Sequence, residues 1–245
     1  MRPEAQAVGE SNRSSCRFRR CCISIDYRED DYHRERHPEF LGRSDLLEAW
    51  SWFADLAYFS HVKEGDRVLE FGGGVGNNLI AVAKRADVVM VEPSGIGRET
   101  AASHGIRAIA TLDDLGEDQL FDTILCRHVL EHVPDPVQVL GGLAKRLAPG
   151  GLLVLCVPVE NPRAMPVAND LDHHLFGWNP RNMRNLLEHC GWRHIQVGLE
   201  HYGARRRLLP LFRWFGGRCY ARWVRRVGWW CRFAEVKATA RRGEI

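Results

Sequence analysis

The sequence from Val68 to Asn78 reads VLEFGGGVGNN, and this stretch decides the fold. Its apolar start predicts a strand that runs directly into a glycine turn, and the turn is expected to open a helix. Glycine allows positive φ and lets a ligand approach the main chain without meeting a Cβ, while a helix start offers N–H groups to an anion. The stretch therefore predicts a nucleotide-binding turn.

The spacing of the glycines narrows the type of nucleotide. Gly72, Gly74 and Gly76 follow Glu70 at intervals of two, whereas a dinucleotide fingerprint requires G-x-G-x-x-G. Glycine turns also hold phosphates or simply make tight connections, so the turn alone leaves those alternatives open. Glu92 ends the next apolar stretch, where a carboxylate can accept both hydroxyls of an adenosine ribose. A solvated acid at a strand end is the competing interpretation of Glu92.

A third landmark runs from Phe121 to Pro136 and reads FDTILCRHVLEHVPDP. Together with the acid-x-G-x-G-x-G of residues 70–76, it resembles the class I S-adenosylmethionine-dependent methyltransferases, in the branch that includes the ubiquinone-pathway O-methyltransferases. The resemblance covers residues 62–192 well and the final strand more loosely. It implies a Rossmann-like class I methyltransferase fold, an α/β architecture. Its seven-stranded, mostly parallel sheet has an antiparallel edge strand and helices on both faces.

The alternation of apolar segments independently predicts a mostly parallel sheet covered on both faces. Ser44 is expected to cap an amphipathic helix that precedes the first strand. Asp135 and Asn179, each followed by proline, are expected to begin two later helices. Strands are expected at 67–71, 88–91, 106–110, 123–126 and 152–157, and further alternating segments close the chain at 194–199 and 234–240. The resemblance implies that these last two segments form an antiparallel pair at one sheet edge.

The resemblance implies S-adenosyl-L-methionine as the cofactor and assigns residues to its parts. Glu70 and the turn are expected to hold the methionine moiety, directly or through water, and Glu92 the ribose. The turn residues are Gly72, Gly73, Gly74 and Gly76. Arg127 and His128, just past the fourth strand, are expected beside the amino acid part of the cofactor or the sulfonium.

The adenine assignment departs from the family pattern. The family usually has an acid after the third strand, and Thr111 stands at that position here. Three interactions remain open: a hydrogen bond to the Thr111 side chain, the backbone N–H of Leu112, or Asp113 after a small shift of the loop.

A sulfonium is an activated electrophile, so much of the catalysis is expected to be positioning in a dry pocket. A hydroxyl acceptor also needs a proton removed, and histidine is the usual base near neutral pH. His128, His173 and His174 are the candidates for catalysis, because their segments flank the cofactor cleft in this fold. Structural roles for His128 and His174 stay open, and His132 is interpreted as a helix-start or packing residue.

A divalent metal is a second hypothesis for the segment that contains His173 and His174. Asp170 and Asp172 add oxygen ligands to these two imidazoles. Neighbouring residues of an extended segment point to opposite faces, so their convergence on one ion is awkward. A loop that closes the substrate pocket is the simpler interpretation, and no metal is predicted.

Length and composition indicate one globular domain. The chain has 245 residues, 45% of them hydrophobic, which is enough for a large core. Residues 1–30 are predicted to be a disordered tail and residues 31–245 the methyltransferase domain. The arginine-rich start lacks the apolar region of a secretory signal, and no apolar run approaches the length of a membrane span. Eight cysteines without a C-x-x-C pair suggest reduced thiols in a cytoplasmic protein.

The segment 201–233 is an insertion between the last two strands in which arginines alternate with tryptophans. One interpretation is an amphipathic helix that makes peripheral contact with a membrane interface. The other, which is favoured because arginine is enriched throughout the chain, is a lid whose aromatic side chains pack inward. Nucleic acid is not an expected partner, since the net charge is only +3.

The function predicted from these patterns is methyl transfer from S-adenosyl-L-methionine to a small molecule, with oxygen favoured over nitrogen or carbon. A quinol or phenol, a secondary metabolite and a sugar of a cell-surface glycan are all compatible acceptors. The alternative from another class is an inactive methyltransferase-like protein that acts in binding or as a scaffold. A nicotinamide oxidoreductase is disfavoured by the glycine spacing and by the LEHV run.

Overall fold

The structure is a computed structural model that describes residues 38, 40, 42–161, 163, 165, 170 and 172–243. The tail predicted for residues 1–30 lies outside the described residues. In the described part of the chain, no helix is both long and apolar enough to cross a membrane.

One seven-stranded sheet organises the molecule, in the order β3-β2-β1-β4-β5-β7-β6. Strands β1 to β5 pair in parallel, whereas β7 is antiparallel to both β5 and β6. The predicted fold class is confirmed, including the antiparallel pair that ends the sheet. The strands are β1 Arg67–Phe71, β2 Asp87–Val91, β3 Arg107–Ile109, β4 Phe121–Arg127, β5 Leu147–Pro158, β6 Arg193–His201 and β7 Ala234–Arg241.

Five α-helices accompany the sheet within the described residues. They are α1 Ser44–Tyr58, α2 Gly95–Ser103, α3 Pro136–Arg146, α4 Pro180–His189 and α5 Leu209–Cys231. The predicted starts of α3 and α4 are confirmed, because the side chains of Asp135 and Asn179 accept hydrogen bonds from first-turn N–H groups. The predicted cap at Ser44 is wrong. Ser44 is already helical, and Asp45 Oδ1 instead accepts the N–H of Leu46 at 2.9 Å.

The helix predicted directly after the glycine turn is also wrong. Residues 77–81 form turns, followed only by a short 3-10 helix at Val82–Lys84. Asn77 and Asn78 have low helix propensity, and the side chain of Asn78 is engaged by neighbours rather than facing solvent. The N–H groups of this site therefore come from the glycine turn and not from a regular helix start.

The two faces of the sheet carry separate apolar cores. Helices α1 and α5 cover one face, where Trp50, Phe53 and Tyr220 are fully buried. Helices α3 and α4 cover the other, with Leu143 and Leu187 fully buried. This arrangement follows from the alternation of side chains along each strand. It also anchors the carboxyl ends of the central strands, where the candidate site lies.

Helix α5 lies against α1 and bends at Gly216, whose φ is 77°. A Cβ on the adjacent Gly217 would lie 2.0 Å from the ring of Trp52, so only glycine permits this approach. The lid interpretation predicts that the aromatic side chains of the segment 201–233 pack inward, and this prediction is wrong for most of its tryptophans. Trp214, Trp229 and Trp230 are 79%, 64% and 66% exposed.

Candidate active site

Glu70, Glu92 and His128 lie at the carboxyl ends of β1, β2 and β4, and the glycine turn follows β1. The N–H of Gly72 donates to the carbonyl of Val91 at 2.8 Å, which ties the turn to the end of β2. A Cβ on Gly72, whose φ is 73°, would lie 2.3 Å from Val129 Cγ2. The N–H of His128 donates to the carbonyl of Cys156 at the end of β5. The turn and the residues after β4 therefore pack directly against each other.

Glu70 is completely buried under the glycine turn. Its Oε1 accepts a hydrogen bond from Asn78 Nδ2 at 2.5 Å, and Asn78 in turn accepts one from Trp50 Nε1 at 3.0 Å. Its Oε2 has no hydrogen-bond partner among the described residues. Burial raises the pKa of Glu70 to about 8. A buried carboxyl oxygen without a partner is costly, and a cationic ligand group beside it would remove that cost.

Glu92 is buried at the end of β2 and shapes the turn from the other side. Its Oε2 accepts the N–H of Gly74 at 2.8 Å, and its Oε1 accepts the N–H of Ser94 at 2.9 Å. The start of α2 is close by, since a Cβ on Gly97 would lie 2.6 Å from the carbonyl oxygen of Gly74. This structural role of Glu92 is additional to the ribose contact, which stays a prediction.

Thr111 and Leu112 lie in the loop after β3. Thr111 and Asp114 form a reciprocal cap, in which Asp114 Oδ2 accepts the N–H of Thr111 at 2.9 Å. The carbonyl of Leu112 accepts a hydrogen bond from Arg146 at 3.2 Å. These contacts fix the backbone of the loop, and the adenine contact assigned to it stays a prediction.

A buried carboxylate that the sequence reasoning missed lies at the centre of the site. Glu235, near the start of β7, is fully buried and accepts hydrogen bonds from three side chains. Its Oε2 contacts Arg127 Nη2 at 2.8 Å and His128 Nε2 at 2.9 Å, and its Oε1 accepts the hydroxyl of Tyr58 at 2.5 Å. Burial alone would raise the pKa of Glu235, but the charge of Arg127 and these hydrogen bonds lower it to about 2.

His128 adopts a left-handed backbone conformation with φ 54°, and its side chain is 31% exposed. Burial and the nearby charge of Arg127 lower its pKa, despite the opposing effect of Glu235. His128 is therefore mainly neutral at pH 7. Because the ionised Glu235 can only accept, Nε2 carries the proton and Nδ1 keeps a lone pair. This is the protonation state required of a general base.

Arg127 is held inside the protein. Its guanidinium lies 5.4 to 5.7 Å from the rings of Trp50, Tyr58 and Tyr202, and its Nε donates to the Tyr58 hydroxyl at 3.0 Å. These contacts and the ion pair with Glu235 occupy the side chain. The structure thus gives Arg127 a role in holding Glu235, while its predicted place beside the cofactor stays a prediction.

One of the other candidate histidines, His174, forms a second cluster with His132 and Glu131. The rings of His132 and His174 are 4.8 Å apart, and His174 Nδ1 lies 2.5 Å from Glu160 Oε1. Burial raises the pKa of Glu131 to about 8. Burial also lowers the pKa of His132 to about 4, and the charge of His174 contributes to that shift.

Glu131, His132 and His174 offer ligand atoms within 4.8 Å of one another. The metal hypothesis joined His174 with Asp170, Asp172 and His173. Among the described residues, the group that could hold an ion contains His174 but none of those three. His173 is half-buried, with a left-handed φ of 43°. Catalytic roles for His173 and His174 stay predictions.

Curated relatives match about half of the chain. A curated relative, "Ubiquinone biosynthesis O-methyltransferase" from Idiomarina loihiensis, is 31% identical over 128 residues, which are 48% of this chain and 52% of the relative. The chain thus spans about half the length of the curated relatives it matches.

Solved structures of distant sequence share the fold. A phosphoethanolamine N-methyltransferase from Haemonchus contortus, solved with S-adenosylhomocysteine, has a TM-score of 0.57 at 15% identity and covers 90% of this chain and 61% of its own. A possible histamine N-methyltransferase from Thermotoga maritima has a TM-score of 0.56 at 16% identity, and the match covers 87% of this chain and 99% of that protein. At these identities the likeness shows the fold alone.

A family model described as a methyltransferase domain matches residues 35–197, about two thirds of the chain. The match includes the glycine turn, Glu92 and the segment that carries His128, so the family predicted from these motifs is confirmed. The chain belongs to the methyltransferase domain family.

Proposed function

We propose that this protein is an S-adenosyl-L-methionine-dependent methyltransferase that methylates an oxygen of a small molecule. The observation that carries the proposal is the buried Glu70, whose Oε2 lacks a partner among the described residues directly beneath a glycine turn. Family membership supports methyl transfer. The name of the Idiomarina relative supports oxygen as the methylated atom.

The residues present fit this cofactor. The unpartnered Glu70 oxygen suits the ammonium of the methionine part, and Glu92 suits the ribose hydroxyls. A Cβ on Gly73 would lie 2.4 Å from Met90 Cγ and 3.2 Å from Glu70 Cδ, so the turn can cover the carboxyl only with glycine there. When bound, the cofactor supplies a methyl group on an electrophilic sulfonium.

His128 is the residue proposed to take the proton from the acceptor hydroxyl. Glu235 holds the ring through Nε2 and leaves Nδ1 as the basic atom. An imidazolium formed at His128 would be stabilised by the adjacent carboxylate, as in other sites where a carboxylate orients a catalytic histidine. Arg127 and Tyr58 keep that carboxylate ionised and fixed. The chain thus provides a base, its orienting group and a support for that group.

The first test is calorimetric titration of S-adenosylhomocysteine into the wild-type protein, Glu70→Gln and Glu131→Gln. Both substitutions replace a buried carboxyl that has a raised pKa with an amide, but only Glu70 lies under the turn. We expect clear binding to the wild type and to Glu131→Gln, and at least about tenfold weaker binding to Glu70→Gln. A folded wild-type protein that does not bind would overturn the cofactor assignment.

Transfer of labelled methyl groups to a panel of quinols, phenols and sugars then tests the reaction. Turnover on a hydroxyl acceptor that depends on His128 supports the proposal. Cofactor binding without turnover on any hydroxyl acceptor would favour the scaffold alternative. The single domain over 31–245 and the cytoplasmic location stay predictions.

A further inference from the structure

The outward face of α5 has a composition unlike the rest of the surface. We define the outer face as Phe215, Arg218, Arg222, Arg226, Trp229 and Trp230, all of which are exposed. The buried face of the same helix carries Tyr220, Ala221 and Val224, which pack on the protein body. The helix is therefore firmly docked by one side, while the other side presents large aromatic rings and guanidinium groups to the surroundings.

The arginines lie between the aromatic residues. Phe215 is 65% exposed at one end of the outer face, and Trp229 and Trp230 are 64% and 66% exposed at the other. The helical stretch between them, from Gly217 to Trp230, is roughly 20 Å long at 1.5 Å per residue. Exposed aromatic groups of this size at both ends of one helix are unusual for a surface that faces only water.

A shallow groove runs along the centre of the outer face. It has a volume of ≈ 450 Å³ and is lined by Arg218, Arg222 and Arg226 together with Phe215, Cys219 and Trp223. The guanidinium of Arg226 lies 5.7 Å from the centre of the Trp223 ring. Arginines one turn apart beside aromatic walls suit a row of phosphate oxygens, because each guanidinium offers several donors in one plane.

The outward arginines of α5 are not balanced by acidic residues of the same helix. The helix contains five arginines and no aspartate or glutamate. Arg213 and Arg225 pair with Asp45 and Glu200 on the protein body, and these contacts fasten the helix. Arg218, Arg222 and Arg226 form no ion pair with a described residue, although like charges four residues apart repel. An anionic surface would relieve that repulsion.

We propose that the outer face of α5 docks this protein onto the surface of a bilayer that contains anionic phospholipid. The arginines would contact lipid phosphates while the rings of Trp229, Trp230 and Phe215 enter the headgroup region. A bilayer is favoured over a nucleic acid because it matches both properties of the face, the cationic centre and the aromatic ends. The whole chain has a net charge of only +3, so the cationic character of this face is a local property.

The C-terminal end of the docking face is close in sequence to Glu235 of the candidate active site. Helix α5 ends at Cys231, and the chain then enters β7, where Glu235 holds His128. The ring of Phe233, 56% exposed, contacts Tyr202 at 5.1 Å between these two features. If the proposed function holds, docking brings the cleft near the lipid surface and favours an amphiphilic acceptor. The docking itself is independent of methyl transfer.

The test is co-sedimentation of the full chain with vesicles of phosphatidylcholine, with and without about one third phosphatidylglycerol. We expect binding to the anionic vesicles, a shift of tryptophan emission to shorter wavelength, and release as salt is raised. One basic residue near such a surface changes partitioning roughly fivefold, so Arg218→Gln, Arg222→Gln and Arg226→Gln together should weaken binding on the order of 100-fold.

The matched control is the triple variant Arg107→Gln, Arg181→Gln and Arg193→Gln, which removes the same charge from exposed positions on β3, α4 and β6. It should bind vesicles nearly as the wild type does. Trp229→Ala with Trp230→Ala should lose most of the emission shift. S-adenosylhomocysteine binding by all variants should be unchanged, which separates this proposal from the proposed function.

Three results would overturn the proposal. Absence of binding to anionic vesicles is the first, and equal weakening by the two arginine triples is the second. The third is arginine-dependent binding to single-stranded or duplex nucleic acid that exceeds binding to vesicles, which would assign the face to that partner.

Discussion

Binding of the cofactor product should release a proton from Glu70. Burial raises the pKa of Glu70 to about 8, so about nine tenths of the molecules carry a proton there at pH 7. An ammonium placed beside the carboxyl lowers its pKa by about 1 to 3 units. With a bound pKa near 5, binding at pH 7 should release about 0.9 proton per ligand.

The same linkage sets the pH dependence of affinity. Between pH 6 and pH 8 the association constant of S-adenosylhomocysteine should rise about 50-fold and then level off, because the unliganded carboxyl no longer needs to lose a proton. The assay is calorimetry at pH 7 in two buffers of different ionisation enthalpy. The slope of the apparent enthalpy against the ionisation enthalpy gives the number of protons released.

Glu70→Gln supplies the decisive comparison, since an amide cannot release this proton. The variant should bind more weakly and show a slope near zero, whereas Glu131→Gln should keep the wild-type slope. A wild-type slope near zero, or the same slope in Glu70→Gln, would refute the assignment of Glu70 to the ammonium.

Four further predictions follow from the same contacts. First, a carboxyl whose pKa is higher in the folded than in the unfolded protein destabilises the fold as the pH rises from the unfolded-state pKa toward the folded-state pKa. Glu70→Gln should therefore stabilise the unliganded protein at pH 7 by up to about 3 kcal/mol, measured by thermal or urea unfolding. An unchanged or lower melting temperature would contradict the raised pKa. Second, the lowered pKa of Glu235 stabilises the fold at pH values above the pKa of the unfolded chain, and this stability is lost as the pH falls toward 2. Glu235→Gln removes the ion-pair partner of Arg127 and should lower the free energy of unfolding by about 3 to 5 kcal/mol. Unfolding curves of the variant that match the wild type would show that the pair is unimportant. Third, His128→Gln should lower kcat for a hydroxyl acceptor about 100-fold or more while S-adenosylhomocysteine affinity stays within about threefold. Retention of wild-type kcat would exclude His128 as the base. Fourth, Gly97→Ala, whose Cβ would press on the Gly74 carbonyl oxygen at 2.6 Å, should weaken S-adenosylhomocysteine binding at least about tenfold, whereas Gly116→Ala has open space and should bind normally. Equal S-adenosylhomocysteine affinities of the two variants would mean that the glycine turn can move away from the added Cβ without losing the ligand.

The sequence predicted the parts of this molecule that depend on local patterns. The bounds of β1 were predicted without error, and the two proline-led helix starts agree with the structure. These features are set by strand alternation and by capping chemistry within a few residues. The helix expected after the glycine turn failed for a tertiary reason, since Asn78 is recruited to hydrogen-bond the buried Glu70.

Glu235 shows what local patterns could not supply. It contacts His128 across 107 positions of sequence because β7 inserts antiparallel beside β5, with Glu235 opposite Pro158. The position of Glu235 therefore depends on the register of β5 and β7, which are separated in sequence by α4, β6 and α5. A weak signal did exist, since Glu235 is an acid directly before Val236, Ala238 and Ala240, the apolar positions that are buried on the opposite face of the same strand. A charge beside such positions indicates a buried partner.

Glu70 and Glu235 are both fully buried carboxyls at the same edge of one sheet, yet their pKa values move in opposite directions. Glu235 has Arg127, His128 and Tyr58 as donors and stays ionised, whereas Glu70 has only the neutral Asn78 and keeps its proton. The first is supplied with its countercharge by the protein, so it can orient a base. The second lacks a countercharge until a ligand brings one. This difference in built-in partners is the physical reason to assign Glu70 to ligand binding and Glu235 to the positioning of His128. The number of protons released on ligand binding tests this assignment directly, because Glu70 has a proton to lose and Glu235 does not.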